Sequence, residues 1–427
     1  MGLSETVSDF VRDKECFYYK AASVTDIVQR QLFASELFDQ TGTPHFPDAN
    51  FENLITSYIS SRSDRKKLII FEDFQHLIKE NPTLINFFAN LVFERSKSDT
   101  VMLLLVSDDI RWVENDMVRL MGRKTYEISG VIKLNEFTPI EFRQNFPDMP
   151  LNEIMTIYSF VGGKSTYYDR IKEGMTGRDL IISWLEMWED EDLDPNRYLG
   201  RDIREPVLYN TILCNLARGA VKLNDIYKST GIERAKLSVY IKTLSERGIT
   251  EKIKSAEAGD SKYTLKGSYR IKDVTVRFYY RFVFPHRSSL SVLGAERFYR
   301  KYVEDGIGSV ISEQYHLFCM EHIRWLEREN RLNFKVASID EYFDRGRAID
   351  FIITAAGGNV IACACQYGQY MSYKRYEEVR SAVKKNKLPC ENIWLFSSSG
   401  FDQKLSLFGS VTPGIKLIEG VASDISG

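Results

Sequence analysis

Residues 66–74 read Lys66-Lys67-Leu68-Ile69-Ile70-Phe71-Glu72-Asp73-Phe74, an apolar run closed by two adjacent carboxylates. An apolar run without polar alternation reads as a strand buried on both faces of a parallel sheet. Open α/β sheets take their ligands beyond the C-terminal strand ends. One carboxylate there can order a hard divalent ion while its neighbour polarises a water. The plainer reading is an acidic strand end that only caps the next turn, and from these residues alone both readings stand. A further carboxylate, Asp350, lies within an apolar strand late in the chain. A third set is cationic: Arg234, Lys236, Ser238 and Lys242 on one helix, with Lys252, Lys254 and Lys262 following it. The triplet inside Gly162-Gly163-Lys164-Ser165-Thr166 is a decoy. A phosphate loop needs a glycine five residues before its second glycine, and that position is Tyr158.

Composition limits what these groups can serve. The chain has 427 residues, room for two or three cored domains, and a net charge of −2 that rules out a protein basic overall but allows a local basic face. Six cysteines occur without a CxxC pair. Cys363 and Cys365 alternate in an apolar strand, as core residues do, and His45, His76, His286, His316 and His322 show no metal spacing. No apolar run approaches the span of a bilayer and no secretory pattern opens the chain, so a reducing, cytoplasmic protein with no membrane partner is expected.

The elements that must position these residues follow from periodicity. An amphipathic helix reaches to about Arg12, a short strand covers 16–19, and helical spacing returns at 27–38 and 51–59. After the acidic strand come a helix at 84–93, a buried strand at 101–106 ending in Ser107-Asp108-Asp109, and a further strand at 132–134. Strands alternating with helices predict a doubly wound parallel sheet. The middle reads as a winged helix-turn-helix: helices at 206–218, from 223, and at 233–247, then a strand at 249–253, a wing turn at 257–260 and a return strand at 262–265. Leu237, Tyr240, Ile241 and Leu244 make the buried stripe of the third helix, the one that would enter a major groove. Its outward cations suit phosphate contacts more than base reading; packing without DNA is the alternative. The aromatic run at 277–287 reads as core between domains rather than as a base-stacking platform. The last third predicts a long helix at 310–329, strands at 348–353, 360–366 and 393–396, and a helix at 375–384.

In order of features, nearly the whole chain resembles the prokaryotic STAND-type ATPases of the AAA+ lineage that carry a C-terminal nuclease-like domain of unknown function. Gly2-Leu3-Ser4-Glu5-Thr6-Val7-Ser8-Asp9-Phe10 matches the end of that family's phosphate loop and the helix after it. Gly2 falls on the glycine, Leu3 on the lysine, Ser4 on the Thr/Ser and Phe10 on a closing Phe. Glu72-Asp73-Phe74 stands where the family has Asp-Glu-Phe, Ser107 where it has a polar sensor, and Arg123 in its Gly-Arg segment. Gly162-Gly163 resembles a turn of its helical lid. In the terminal domain the resemblance is to the restriction-endonuclease-like fold, whose Asp and Glu-x-Lys fall on Asp350 and on Ala364-Cys365-Gln366.

This resemblance implies a P-loop NTPase-like α/β core at 1–145 that begins at the end of its phosphate loop. A helical lid at 146–200, a winged helix at 201–275, an aromatic connector at 276–300 and a degenerate nuclease-like α/β domain at 301–427 follow. With the loop lysine replaced by Leu3 and the nuclease Glu and Lys lost, the expected function is a pseudoenzyme. It would be a non-hydrolysing relative serving as a DNA- or protein-binding regulatory scaffold, meeting duplex DNA through Arg234, Lys236, Ser238, Lys242 and Lys254, or meeting proteins or its own copies. ATP and Mg2+ would apply only if the family activity were kept, at Gly2, Ser4, Glu72, Asp73 and Ser107. The alternative is a working ATP switch whose phosphate loop is encoded upstream of the given start.

Overall fold

The computed structural model describes residues 5–44, 49–61, 66–95, 101–188, 205–219, 222–253, 256, 268–343 and 346–421. The chain divides into two units, Met1–Leu134 and Asn135–Gly427. In the first, α1 (Glu5–Val11) precedes β1 (Cys16–Lys20). Helices α2 (Asp26–Thr41) and α3 (Phe51–Ser60) lead to β2 (Lys67–Glu72), then α4 (Gln75–Glu80), α5 (Leu84–Arg95) and β3 (Val101–Val106) follow. The strands run parallel in the order β1-β2-β3. All of β2 is buried, as its unbroken apolar run requires. Ile69 and Phe71 face the larger core, where Phe71 stacks on Phe33 with centroids 5.8 Å apart, and Leu68 and Ile70 pack with Val7 on the opposite face. At the strand start the Lys67 ammonium donates to the carbonyls of Tyr58 and Ser61 (2.7 Å for Ser61), so it closes the C-terminus of α3, where a cation is favoured.

The strand expected at 132–134 does not form. Residues 128–134 have no regular structure and Ile132 is 85 % exposed. The apolar residues are there, but no described strand lies alongside to take their backbone hydrogen bonds, and a strand without a partner is not stable.

The second unit begins with α6 (Pro139–Asn145), α7 (Leu151–Val161) and α8 (Gly177–Glu186). Pro139 at the first helical position and a reciprocal Thr138–Glu141 capping box start α6. The Gly162-Gly163-Lys164 segment is a structural turn. A Cβ at Gly163 would fall 2.0 Å from the Phe137 carbonyl oxygen, and Lys164 pairs with Asp273 at 2.5 Å. Next come α9 (Pro206–Ala217), α10 (Leu223–Thr230), α11 (Arg234–Glu246) and an antiparallel pair, β4 (Thr250–Lys252) with β5 (Tyr269–Ile271). Leu237, Ile241 and Leu244 are buried as their spacing requires, and Tyr240 is half-buried with its ring 4.7 Å from that of Tyr209. The wing turn expected at 257–260 and the return strand at 262–265 lie outside the described residues; the strand that pairs with β4 is β5.

Residues 274–286 hold the unit together. Phe278, Tyr279, Tyr280 and Phe282 are buried, in a stretch that passes through a π-helical turn at Tyr279–Val283. Phe278 meets Phe160 of α7 edge-on at 4.7 Å, and the Tyr280 hydroxyl donates to Asn210 of α9 at 2.5 Å. Arg281 reaches Glu313 on the long helix α12 (Glu304–Arg328) at 3.2 Å.

Beyond α12 lie β6 (Val336–Glu341), β7 (Phe351–Ala355), β8 (Val360–Gln366), α13 (Tyr373–Lys385), β9 (Cys390–Ser397), α14 (Gln403–Val411) and β10 (Ile415–Glu419). The sheet order is β10-β9-β8-β7-β6, antiparallel between β6, β7 and β8 and parallel from β8 to β10. Alternation assigns the faces. Phe351, Ile353, Ile361, Cys363, Trp394 and Phe396 pack in the core that contains α12, while Ile352, Ala362, Ala364, Ile393 and Leu395 pack with α13 and α14. No helix among the described residues is long and apolar enough to cross a membrane.

A partly buried ion cluster joins β4, β5, β6 and α12. Arg270 lies 2.6 Å from Glu251 and 2.7 Å from Glu341, and His316 lies 3.3 Å from Glu341. Burial opposes ionisation of Glu341, but His316 and Arg270 outweigh it and hold the carboxyl at about 2 instead of 4.5. A folded-state value below the unfolded one stabilises the protein above the unfolded value, and that stability is lost as pH falls through the folded value. Glu341→Gln is therefore expected to cost about 3 kcal/mol at neutral pH and to flatten the acid loss of stability between pH 4.5 and 2. Denaturant unfolding at pH 7 and at several acid values checks this; an unchanged pH slope would remove Glu341 from the account.

Candidate functional site

The C-terminal ends of β1 and β2 bring the first candidate residues together. Parallel register sets Lys20 opposite Glu72 and Tyr18 opposite Ile70. Side chains two apart on a strand share a face, so Tyr18 and Lys20 both reach the carboxylate. The Lys20 ammonium lies 2.6 Å from Glu72 and 3.4 Å from Asp73, and the Tyr18 hydroxyl donates to the other Glu72 oxygen at 3.0 Å. Burial and this bond to Glu72 push the Tyr18 phenol up to about 12. Asp73 sits at a positive φ of 54°, in the turn that starts α4, where aspartate is among the residues that tolerate a left-handed backbone.

The arrangement does not fit a magnesium–nucleotide complex. A divalent ion needs carboxylate oxygens free to coordinate it, and one ammonium from the neighbouring strand pairs with both Glu72 and Asp73. Gly2 and Ser4, the positions expected at the phosphates, lie outside the described residues. Among the described residues no group of three or more His, Cys, Asp or Glu is placed to hold a metal.

At the end of β3 the Ser107 hydroxyl accepts the Asp109 backbone N–H at 3.1 Å, which is the work of a turn residue. Asp108 accepts from Gln75 at 2.8 Å, Asp109 caps the Trp112 N–H at 3.0 Å, and Arg123 is exposed. Sequence reasoning missed Lys20. Its only signal was a cation closing a short strand.

The second candidate site assembles at the start of β7. Asp350 accepts the Cys365 N–H at 2.7 Å and lies 3.8 Å from Arg375 of α13. Ala364, where a second carboxylate would stand, is fully buried against α13 and α14, and Gln366 donates to the Tyr370 carbonyl at 3.2 Å. One carboxylate bonded to backbone and facing a guanidinium cannot assemble a hydrolytic metal site. Arg375 was the residue not foreseen here.

The third set lies on α11. Arg234, Lys236, Ser238 and Lys242 are all exposed, as is Lys252 on β4. Arg234 is positioned by Asn224 at 2.5 Å and over the Tyr227 ring at 5.3 Å, while Lys242 lies 3.8 Å from Glu246. Val239, 62 % exposed between these cations, was not singled out by sequence. Lys254 lies outside the described residues.

Replacing Lys20 by an uncharged side chain of similar length should leave Glu72 and Asp73 able to accept a cation. Lys20→Met is expected to gain saturable Mn2+ binding, at least about tenfold tighter than the parent, in paramagnetic resonance titrations. Equal binding by both proteins would show that Lys20 does not control these carboxylates.

A family model described as archaeal and bacterial proteins of unknown function, DUF234, matches residues 279–380. An uncharacterized protein of Methanocaldococcus jannaschii is 26% identical over 369 residues, which make up 82% of this chain and 77% of that one. Among solved structures, a Walker-type ATPase of Pyrococcus abyssi is similar over 65% of this chain and 87% of that chain, at 13% identity and a TM-score of 0.41. The ORC2 protein of Aeropyrum pernix, in complexes with ADPNP and ADP, is similar over 67% and 82%, at 14% identity and a TM-score of 0.37. The ORC1 protein of Aeropyrum pernix in complex with DNA is similar over 67% and 82%, at 13% identity and a TM-score of 0.31.

Proposed function

We propose that this chain is a non-hydrolysing relative of STAND/AAA+-type ATPases that works as a regulatory scaffold bound to duplex DNA. One observation carries the loss of hydrolysis: the Lys20 ammonium lies 2.6 and 3.4 Å from the two strand-end carboxylates. The terminal α/β segment repeats the pattern, with Arg375 facing Asp350 and with alanine and glutamine at the remaining positions of the nuclease motif. A fold kept while its charge chemistry is neutralised supports a binding role.

The DNA part rests on α9 to α11 with the β4–β5 pair, read as a winged helix. Its third helix presents Arg234, Lys236, Ser238 and Lys242 to solvent around Val239. Such a face makes phosphate contacts, and Val239 adds an apolar contact of the kind a thymine methyl accepts.

A specific observation favours the second reading, a working ATP switch. β3 is an edge strand of six apolar residues, Val-Met-Leu-Leu-Leu-Val, left half-exposed among the described residues, and a further parallel strand would cover it.

Two measurements decide. Gel shifts on duplex DNA at two salt concentrations are expected to show binding that weakens steeply with salt, and Lys236→Glu is expected to weaken it about tenfold without altering the circular dichroism. No shift at low salt, or a shift untouched by Lys236→Glu, would count against the DNA role. Titration with labelled ATP and Mg2+ is expected to show no micromolar binding. Turnover abolished by Asp73→Ala would overturn the non-hydrolysing assignment.

A further inference from the structure

The terminal sheet carries a cleft of about 660 Å³ that none of the preceding sites uses. It opens where β7 ends and where β8, β9 and β10 begin, and its outer wall is the connection from α12 to β6. Asp350 stands at the other end of β7, five residues or about 16 Å away along the strand. The cleft is thus separate from the degenerate nuclease positions.

Its lining has a definite chemistry. Arg331 and Lys416 supply two cations, and among the described residues no Asp or Glu lines the cleft, although the chain has 59 acidic residues against 57 basic ones. The Lys416 ammonium is held 4.5 Å from the centre of the Trp394 ring, and Arg331 lies 5.3 Å from the Trp325 ring. Both cations are thereby positioned on aromatic faces, which lowers the ordering cost of meeting an anion. Asn333, Asn359 and Asn392 add three carboxamides whose side chains make no hydrogen bond among the described residues. Gly414, at φ 84°, lets the start of β10 close against Asn392, because a Cβ there would fall 3.1 Å from the Asn392 Oδ1. Phe334 forms an apolar wall, its ring 6.0 Å from that of Trp394.

We propose that this cleft binds a nucleoside phosphate, with Lys416 and Arg331 on the phosphate, the asparagine amides on the polar edge of the base and Phe334 against its plane. Amides match base edges because they offer a donor and an acceptor side by side. The volume falls in the range of small-ligand sites. The ligand is either a free mononucleotide or the 5′-phosphorylated end of a single strand.

The test is calorimetric titration of the full chain with adenosine 5′-monophosphate, adenosine, inorganic phosphate and a 5′-phosphorylated single-stranded octanucleotide. Saturable binding of the monophosphate or the octanucleotide is expected, with adenosine and phosphate each at least about tenfold weaker. Binding of both assigns the free nucleotide; binding of the octanucleotide alone assigns the strand end. Lys416→Ala is expected to weaken binding about tenfold and Lys416→Arg to retain it, which separates lost charge from lost fold. The adenosine 5′-monophosphate arm contains no nucleic-acid strand, so failure of the DNA-binding proposal leaves this outcome readable. No saturation by either nucleotide probe up to about 5 mM, equal affinity for inorganic phosphate, or indifference to Lys416→Ala would overturn the assignment.

Discussion

Four aromatic side chains packed into five residues, Phe278, Tyr279, Tyr280 and Phe282, can leave water only if helices close around them from several directions. Much of the second unit answers that requirement. Phe160 of α7 meets Phe278, Asn210 of α9 takes the Tyr280 hydroxyl, and Glu313 of α12 takes Arg281. The helix passes through a π-helical turn at Tyr279–Val283 where these rings emerge. The segment also carries the half-buried Arg277, and desolvation pushes its guanidinium down to about 10. A single core runs from α6 to the terminal sheet. The three-helix segment and the terminal α/β segment are therefore parts of one packed body and not beads on a linker.

The two acidic sites share one electrostatic solution. At each, a cation from a neighbouring element faces the carboxylate: Lys20 from the adjacent strand at Glu72 and Asp73, Arg375 from the following helix at Asp350. A partly buried carboxylate without a counter-charge is costly, and a cation from a neighbouring element meets that cost. Pairing keeps the strand end and its turn intact. It also means an incoming ion must first displace a bonded ammonium or guanidinium.

Much of the architecture was legible because burial writes itself into apolar spacing. The all-apolar run at 68–71 became the central strand, the stripe Leu237, Ile241 and Leu244 became the buried edge of α11, and 360–366 became β8 with its bounds unchanged. The failure at 132–134 has the same root seen from the other side. Apolar alternation reports a wish to be covered, but a strand exists only where a second backbone supplies hydrogen bonds. The wing turn and return strand expected at 257–265 lie outside the described residues, and the strand that pairs with β4 is Tyr269–Ile271, set by register and not by composition.

The sequence by itself determined which residues could do chemistry and which elements carry them, because residue type and period are local properties. It placed Glu72 and Asp73 at a strand end, Asp350 within a strand, and Arg234, Lys236, Ser238 and Lys242 on an outward helix face. Only the tertiary structure decided what those groups face. Lys20 is 52 residues from Glu72 and Arg375 is 25 from Asp350, so neither counter-charge is visible at any local spacing. The cleft beside Lys416 is assembled from a helix–strand connection and the ends of four strands, which no window of sequence brings together. Charge acts through space, and the sequence orders residues only along the chain.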